Sequence, residues 1–434
     1  MAGKGSRETF AGDAEEASSA RGLTRRGALA GAALFGAGVA FDRVLSESRG
    51  GDDSAGAVDV SKTVEFHGVH QAGISTPAPE FLHFAAFDVT SSSVDDLRGI
   101  LQEWTLAAAS LTGGQEYQPA PIEATSAPVD TGEAIGLGPQ RLTLTFGFGS
   151  SLLGSRGTDR FSFAGRRPKT LVPLPDFTGE DLDPALSGGD LCVQACAEHP
   201  QVAFHAVHVL AGLASGAAVL RWSQSGFGRT SSTSRSQPTP RNLMGFKDGT
   251  NNIRGEDEGE MDKYVWVQPG DGPAWMEGGT YMVVRRIKML LDVWDATSLE
   301  GQERAIGREK ESGAPLEKES EYDPVDLDAR AKGELVIPTD AHIRLASPDT
   351  NGGQRILRRG FSYTEPSRAG SGQLDAGLFF ISFQRDPQRQ FVPIQRRLAA
   401  NDALSRHLLH TGSGVFACPP GVQPGGFIGE ALFV

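Results

Sequence analysis

Three short windows of the chain carry side chains able to do acid–base or metal chemistry. The first, Asn242 to Asn252 (NLMGFKDGTNN), places Asp248 among glycines directly after a polar stretch. An Asp–Gly pair is most often an ordinary turn, and on these residues alone that is the more economical reading. The alternative is a backbone that approaches a flat ligand at its glycines while Asp248 accepts a proton in a pocket. The second window holds His342, which follows the turn-like run Pro338 to Ala341 and opens a short apolar segment, Ile343 to Ala346. A core histidine with satisfied hydrogen bonds is common in such a context. A metal centre needs one neutral imidazole of this kind, oriented by a carboxylate or carbonyl on its other nitrogen. The third window, Arg355 to Tyr363 (RILRRGFSY), alternates so that Ile356 and Arg358 share one strand face and Leu357 and Arg359 the other. Arginine on an exposed edge strand is commonplace, whereas an inward guanidinium binds anions or stabilises charge on a departing oxygen. The other histidines have simpler accounts: His205 and His208 lie along a helical segment, and His407 and His410 read as a surface pair near the C-terminus.

The elements that must position these residues follow from hydrophobic spacing. Phe81 to Val89 is an apolar strand, and Val94 to Leu111 has helical spacing at Leu97, Ile100, Leu101 and Trp104. Arg141 to Phe148 and Asp190 to Ala197 read as strands, His199 to Leu213 as a helix, and Ala217 to Trp222 as a closing strand. That order is ferredoxin-like. The polar stretch Gly228 to Arg241 reads as a linker to a second half with strong strands at Thr280 to Asp292 and Gly377 to Phe383. Thr297 with Glu300 forms a capping box for a helix running to Ile306, and Gln388 to Ala399 is a later helix. Gly307 to Gly333 is a charged surface excursion long enough to cover or frame something. The fold class predicted is α+β, two ferredoxin-like halves with antiparallel sheets packed together.

Whole-chain properties bound the function. The 434 residues, 39% hydrophobic and 22% charged, suffice for one large or two ordinary globular units. A net charge of -13 excludes a general basic field for nucleic acid or anionic membrane. Three cysteines without a C-x-x-C pair signal neither a disulfide framework nor a thiolate zinc site; Cys192 and Cys196, at strand spacing, read as packed small hydrophobes, with a single bridge the alternative. Near the N-terminus, Arg25 and Arg26 precede an uncharged Gly/Ala-rich run, Gly27 to Ala40, too short for a mature membrane span. This is the pattern of a twin-arginine signal, which exports folded proteins. The division expected is 1–57 signal and flexible tether, 58–227 N-terminal half, and 228–434 C-terminal half.

Taken together and in this order, the windows resemble the dye-decolorizing haem peroxidases, in particular the exported, deferrochelatase-like branch. The resemblance runs from His70 to the C-terminus through TFGFG at 145–149, GGDL at 188–191, GFKDGT at 245–250, GGTYMVVRRIKM at 278–289, IGREKESGAPL at 306–316, HIRLASP at 342–348 and LRRGFSY at 357–363. It implies one haem b per chain, a dimeric α+β barrel type of fold, and haem in the second half. It also implies hydrogen peroxide and a one-electron donor, a dye or phenol, as substrates. By the same resemblance His342 ligates iron from the proximal side, Asp248 and Arg358 act on peroxide, and Gly249, Thr250, Asn251, Ser347, Pro348 and Asp349 line the haem. The chain has Ser-Pro-Asp at 347–349 where the family usually has Asn-Pro-Arg, which leaves no basic side chain at 349 for a haem propionate. Asp402 is the candidate carboxylate partner of His342, with Asp386 the rival. Because a carboxylate ionises near pH 4 in peptides, about 3.9 for aspartate, an aspartate base implies activity in acid. Trp222, Trp266, Trp275, Trp294 and Tyr363 are candidate electron relays for donors too large to enter. The competing function is a haem-binding protein that releases iron from haem within an iron-uptake system. The implied location is extracellular, periplasmic or cell-surface, reached by export after folding in the bacterial cytoplasm and without a stable membrane span. The implied partners are the export machinery, hydrogen peroxide and an electron donor, with a homo-oligomer compatible, and the acidic charge also suits a basic protein partner.

Overall fold

In the computed structural model, which describes residues 59–434 apart from 122, 156 and 367–371, one continuous antiparallel sheet dominates. The N-terminal signal and tether reading lies outside the described residues. In chain order the strands are β1 (Phe81–Val89), β2 (Thr143–Gly149), β3 (Leu191–Ala197), β4 (Ala218–Arg229), β5 (Thr280–Met289), a small hairpin β6 (Arg330–Ala331) and β7 (Glu334–Leu335), then β8 (Leu357–Arg358), β9 (Phe361–Glu365), β10 (Asp375–Gln384) and β11 (Leu408–Cys418). The helices are α1 (Val94–Thr112), α2 (Pro200–Leu213), α3 (Glu258–Tyr264), α4 (Leu291–Asp295), α5 (Leu299–Ile306), α6 (His342–Ala346) and α7 (Phe391–Asn401). The strand order is β5-β11-β2-β3-β1-β4-β9-β10-β8, and β5 also pairs with β10, so the sheet closes on itself. The predicted pair of packed ferredoxin-like halves is therefore joined into a barrel, which leaves few open edges.

Alternation along each strand sorts residues into two cores. From β1, Leu82, Phe84 and Ala86 point into the barrel with Met282, Val284, Phe379 and Phe416, while Ala85, Phe87 and Val89 face outward under the helices. β1 reads as nearly continuous apolar sequence because both of its faces are covered. Ser93 caps α1 by accepting from the Asp96 amide (3.2 Å), and Trp104 locks α1 to α2 through an indole hydrogen bond to the Leu210 carbonyl (2.8 Å). Each fully buried aromatic of this kind contributes roughly 1.5–3 kcal/mol of transfer free energy. Cys192 and Cys196 share the inward face of β3, free and fully buried, as packed small side chains.

Three expectations need correction and one needs refinement. The polar stretch after β4 starts inside the fold, with Thr230 to Ser234 all buried, and only 235–241 lies toward the surface. Thr230 to Ser234 form an internal seam in which the Thr233 hydroxyl donates to the Thr76 carbonyl (3.0 Å) and accepts from the Ala78 amide (2.9 Å). Helix α5 is capped by Ser298, whose side chain accepts from the Gly301 amide (3.2 Å); Thr297 instead donates to the Val293 carbonyl. The strand starting at Thr280 stops at Met289, and Leu291 to Asp295 is helical. Finally, His407 and His410 are no surface pair. His407 is buried against Trp294, and His410 lies in strand β11. Among the described residues no helix is long and apolar enough to cross a membrane.

Candidate active site

A cavity of about 750 Å³ opens on the outer face of the barrel wall made by β5, β10 and β11. Its apolar wall is built from Ile287 and Met289 of β5, Leu378 and Phe380 of β10, and Leu408 of β11. Helix α7 closes one side with Phe391, Ile394, Gln395 and Leu398, spaced three and four apart on a single face. The excursion predicted at 307–333 frames the mouth with Glu321 to Val325. All of the residues singled out from the sequence for this role line the same cavity: Asp248, Gly249, Thr250, Asn251, His342, Ser347, Pro348, Asp349, Arg358 and Asp402. Asp386 does not; its carboxylate caps the turn before α7 by accepting from the Gln388 amide (2.9 Å). The five aromatic relay candidates are buried away from the cavity lining.

His342 opens helix α6, and its Nδ1–H donates to Asp402 Oδ2 at 2.6 Å. A carboxylate only accepts, so the proton sits on Nδ1 and the Nε2 lone pair is free. Asp402 is itself fixed, because its other oxygen accepts from the Leu404 amide (2.9 Å) at the start of a short 3₁₀ turn. Burial pulls the imidazole toward its neutral form. The charge and hydrogen bond of Asp402 outweigh that, and the ring protonates more readily than an ordinary histidine.

Asp248 and Arg358 form an ion pair, Nη1 to Oδ1 at 2.6 Å, between a loop and the short strand β8. Their elements are clamped by Asn252, whose side chain accepts from the Arg358 amide and donates to the Arg358 carbonyl, each at 2.8 Å. Asn242 Nδ2 approaches the second Asp248 oxygen at 3.3 Å. Gly249 adopts φ +90°, and a Cβ there would lie 2.9 Å from Ser231 Cα, so the turn and the buried seam behind it both demand glycine. That is a different need from the close ligand approach read from the sequence.

Sequence reasoning missed four side chains at this site. Glu321 is buried and ties the excursion to the Asp248 loop, accepting from Lys247 Nζ (2.6 Å) and Thr250 Oγ1 (2.9 Å). Burial raises its pKa, but Lys247 and the hydrogen bonds more than offset this and hold it ionised. Tyr322, exposed at the mouth, meets Thr239 Oγ1 at 3.1 Å. Arg285 and His410 lie together on the strand wall, Nε to Nδ1 at 3.2 Å. A charge inside the apolar run TYMVVRRIKM was the available signal for Arg285; none pointed to Glu321.

The residues present fit a planar metal cofactor. The volume lies within the roughly 300–1,000 Å³ usual for cofactor pockets, one wall is apolar, and a single imidazole offers a free Nε2 with its other nitrogen anchored on a carboxylate. Comparison with known proteins agrees. The model for Dyp-type peroxidase, N-terminal, matches residues 71–228, and that for Dyp-type peroxidase, C-terminal, matches 239–423. The chain is 40% identical to a dye-decolorizing peroxidase of Thermobifida fusca over 95% of its length and 97% of the relative's. It is 37% identical to a deferrochelatase of Escherichia coli, covering 85% and 86% of the two chains. Among solved structures, ferric DtpA from Streptomyces lividans superposes with a TM-score of 0.78 at 42% identity, covering 86% of this chain and 97% of that one.

Proposed function

The chain belongs to the Dyp-type peroxidase family, and we propose that His342 would hold its haem and that Asp248 and Arg358 would serve the peroxide chemistry there. It is a haem peroxidase that reduces hydrogen peroxide at the expense of one-electron donors. When bound, haem supplies the redox chemistry at iron that peroxide reduction requires. The observation that carries the site reading is the pairing of His342 with Asp402, which leaves Nε2 as the metal-facing nitrogen.

The chain's own residues then divide the work. Asp248 would accept a proton from one peroxide oxygen and deliver it to the other, which could then leave as water; the two electrons for O–O cleavage, and the site that would take the remaining oxygen, are what the haem would supply. Arg358, already directed at Asp248, stabilises the negative charge on the departing oxygen. Gly249, Thr250 and Asn251, with Ser347, Pro348 and Asp349, bound the cofactor's edge. The apolar wall of Leu378 and Phe380 excludes water from the reacting oxygen atoms. The division into an N-terminal half ending at 227 and a haem-binding half from 228 is supported by the two family matches, which meet between 228 and 239. Residues 1–57 act as a twin-arginine signal and tether, and the protein is exported after folding, a route that suits a chain loaded with cofactor before it leaves.

A second reading is favoured by one relative, the deferrochelatase, whose name denotes removal of iron: this chain would release iron from haem. Absorption spectra of the wild type and His342→Ala, before and after one equivalent of peroxide, test both. A Soret band that changes on adding peroxide and is lost in the variant supports the peroxidase site. A peroxide-silent band, with iron-free porphyrin accumulating, supports iron release, and no haem uptake overturns both.

A further inference from the structure

The cavity contains a second imidazole, and its hydrogen bonds give it the opposite tautomer to that of His342. Arg285 Nε–H points at His410 Nδ1 across 3.2 Å. A guanidinium only donates, so Nδ1 must be the acceptor and the ring proton must sit on Nε2. His342 therefore presents a lone pair at Nε2, and His410 presents an N–H. Among the described residues, no side chain or carbonyl accepts from His410 Nε2.

This arrangement is built into the barrel. Arg285 is buried and ion-paired with Glu180, and its Nη1 donates to Ser413 Oγ at 2.8 Å, so it cannot turn away from the ring. Burial and the adjacent Arg285 bring His410 down to about 3, so the ring is neutral in ordinary buffers. A β-bulge decides where the ring goes. Gly412 pairs with Arg286 and His410 with Ile287, leaving Thr411 as an extra residue. Even-numbered residues beyond it, such as Phe416, point into the barrel, whereas Leu408 and His410 point into the cavity. Bulges re-aim side chains in this way, typically beside functional sites.

We propose that His410, held by Arg285, donates its Nε2–H to a propionate carboxylate of the bound haem. The inference rests on the haem reading above. The strong acceptors at a haem's periphery are its two carboxylates, and they need donors away from the acidic Asp323 and Asp349 on the cavity lining. The other basic side chains there are engaged within the chain: Lys247 by Glu321, Arg308 by two carbonyls, Arg355 by Glu260 and Arg358 by Asp248. His410 offers an uncommitted N–H with a fixed cation directly behind it.

The test compares haem with its dimethyl ester, whose esterified propionates carry no charge, by the rate at which each is lost from the protein to a haem scavenger. Wild type is expected to retain haem at least about tenfold longer than the ester, as for loss of one hydrogen bond to a charged group. His410→Asn keeps an oxygen acceptor for Arg285, which protects the fold, but its N–H falls short of the cavity. In that variant the haem-to-ester ratio should drop about tenfold, mainly through faster haem loss, and His410→Gln, with the longer reach, should restore part of it. An unchanged ratio in His410→Asn, or equal retention of haem and ester by wild type, overturns the proposal while leaving the haem reading intact. Failure of wild type to take up either porphyrin overturns both.

Discussion

Replacing Asp402 separates the anchoring of His342 from everything else in the cavity. The carboxylate is buried, accepts the His342 Nδ1–H at 2.6 Å and caps the following turn through Leu404. Asp402→Ala removes a charge-assisted hydrogen bond of about 1.5–3 kcal/mol and a cap of about 1 kcal/mol. Only the first bears directly on the ligand. At about 1.4 kcal/mol per tenfold, it corresponds to haem loss faster by about ten- to a hundredfold, the range known for anchoring partners of metal ligands. Asp402→Asn keeps a neutral acceptor and the cap, so it should retain the fold while lowering the basicity of the imidazole, raising the ferric/ferrous potential. The pH dependence has a definite sign. In the haem-free protein the His342 pKa is raised above the ordinary value. The His342–Asp402 ion pair therefore stabilises that state fully below the unfolded histidine pKa of about 6.5 and ceases to do so as pH rises through the folded value. With His342 as the proposed ligand, haem has to displace that proton, so uptake is expected to weaken as pH falls through the raised pKa. In Asp402→Asn the midpoint should move to lower pH. Stopped-flow haem uptake across pH 5–9, on the order of two units either side of neutrality, with scavenger-driven loss, reads both quantities. A variant with wild-type midpoint and wild-type haem loss would refute the anchoring argument.

Other outcomes follow from the same geometry. Arg358→Leu should slow the reaction with peroxide by about 10²–10³, the usual effect of removing a donor to a developing oxyanion, while the Soret intensity is preserved; stopped-flow mixing with peroxide measures it. Asp248→Asn should slow the same step by about 10²–10⁴ and flatten its pH profile, and an undiminished rate would remove Asp248 from the proton transfer. Glu321→Gln weakens the ties to Lys247 and Thr250, so limited proteolysis should cut faster within 317–326, with about 1–3 kcal/mol of stability lost. Ser298→Ala should cost about 1 kcal/mol of thermal stability through the cap of α5 and Thr297→Ala distinctly less, as denaturant titration can resolve.

Much of the architecture was legible because it is local. Apolar runs marked β1, β5 and β10, because a strand covered on both faces is apolar almost throughout, and the spacing of Leu97, Ile100, Leu101 and Trp104 marked α1, because one buried helix face imposes its period on the sequence. The windows around Asp248, His342 and Arg358 stood out because carboxylate, imidazole and guanidinium are costly to bury without a purpose. Their common destination was inferred from the order of motifs. The local pattern could not distinguish Asp402 from Asp386: both are acids near α7, and only the packing of α6 against that region brings one of them to the imidazole.

What only the tertiary structure decided depends on contacts between distant residues. The cap of α5 moved by one residue because the Thr297 hydroxyl found the Val293 carbonyl in the preceding turn. The polar seam Thr230 to Ser234 is interior because its hydrogen bonds are supplied from segments such as Thr76 to Ala78, some 150 residues away. His410 resembled a surface residue because the bulge at Thr411 inverts the face of every residue before it, and a bulge is defined only by its partner strand. The amino-acid sequence by itself determined most of the elements and which side chains carry candidate chemistry, since periodicity and side-chain chemistry act within a few residues. Barrel closure, the Asp402 partnership and the tautomer of His410 were settled by long-range pairing, where each group's role is set by the neighbour the fold brings to it.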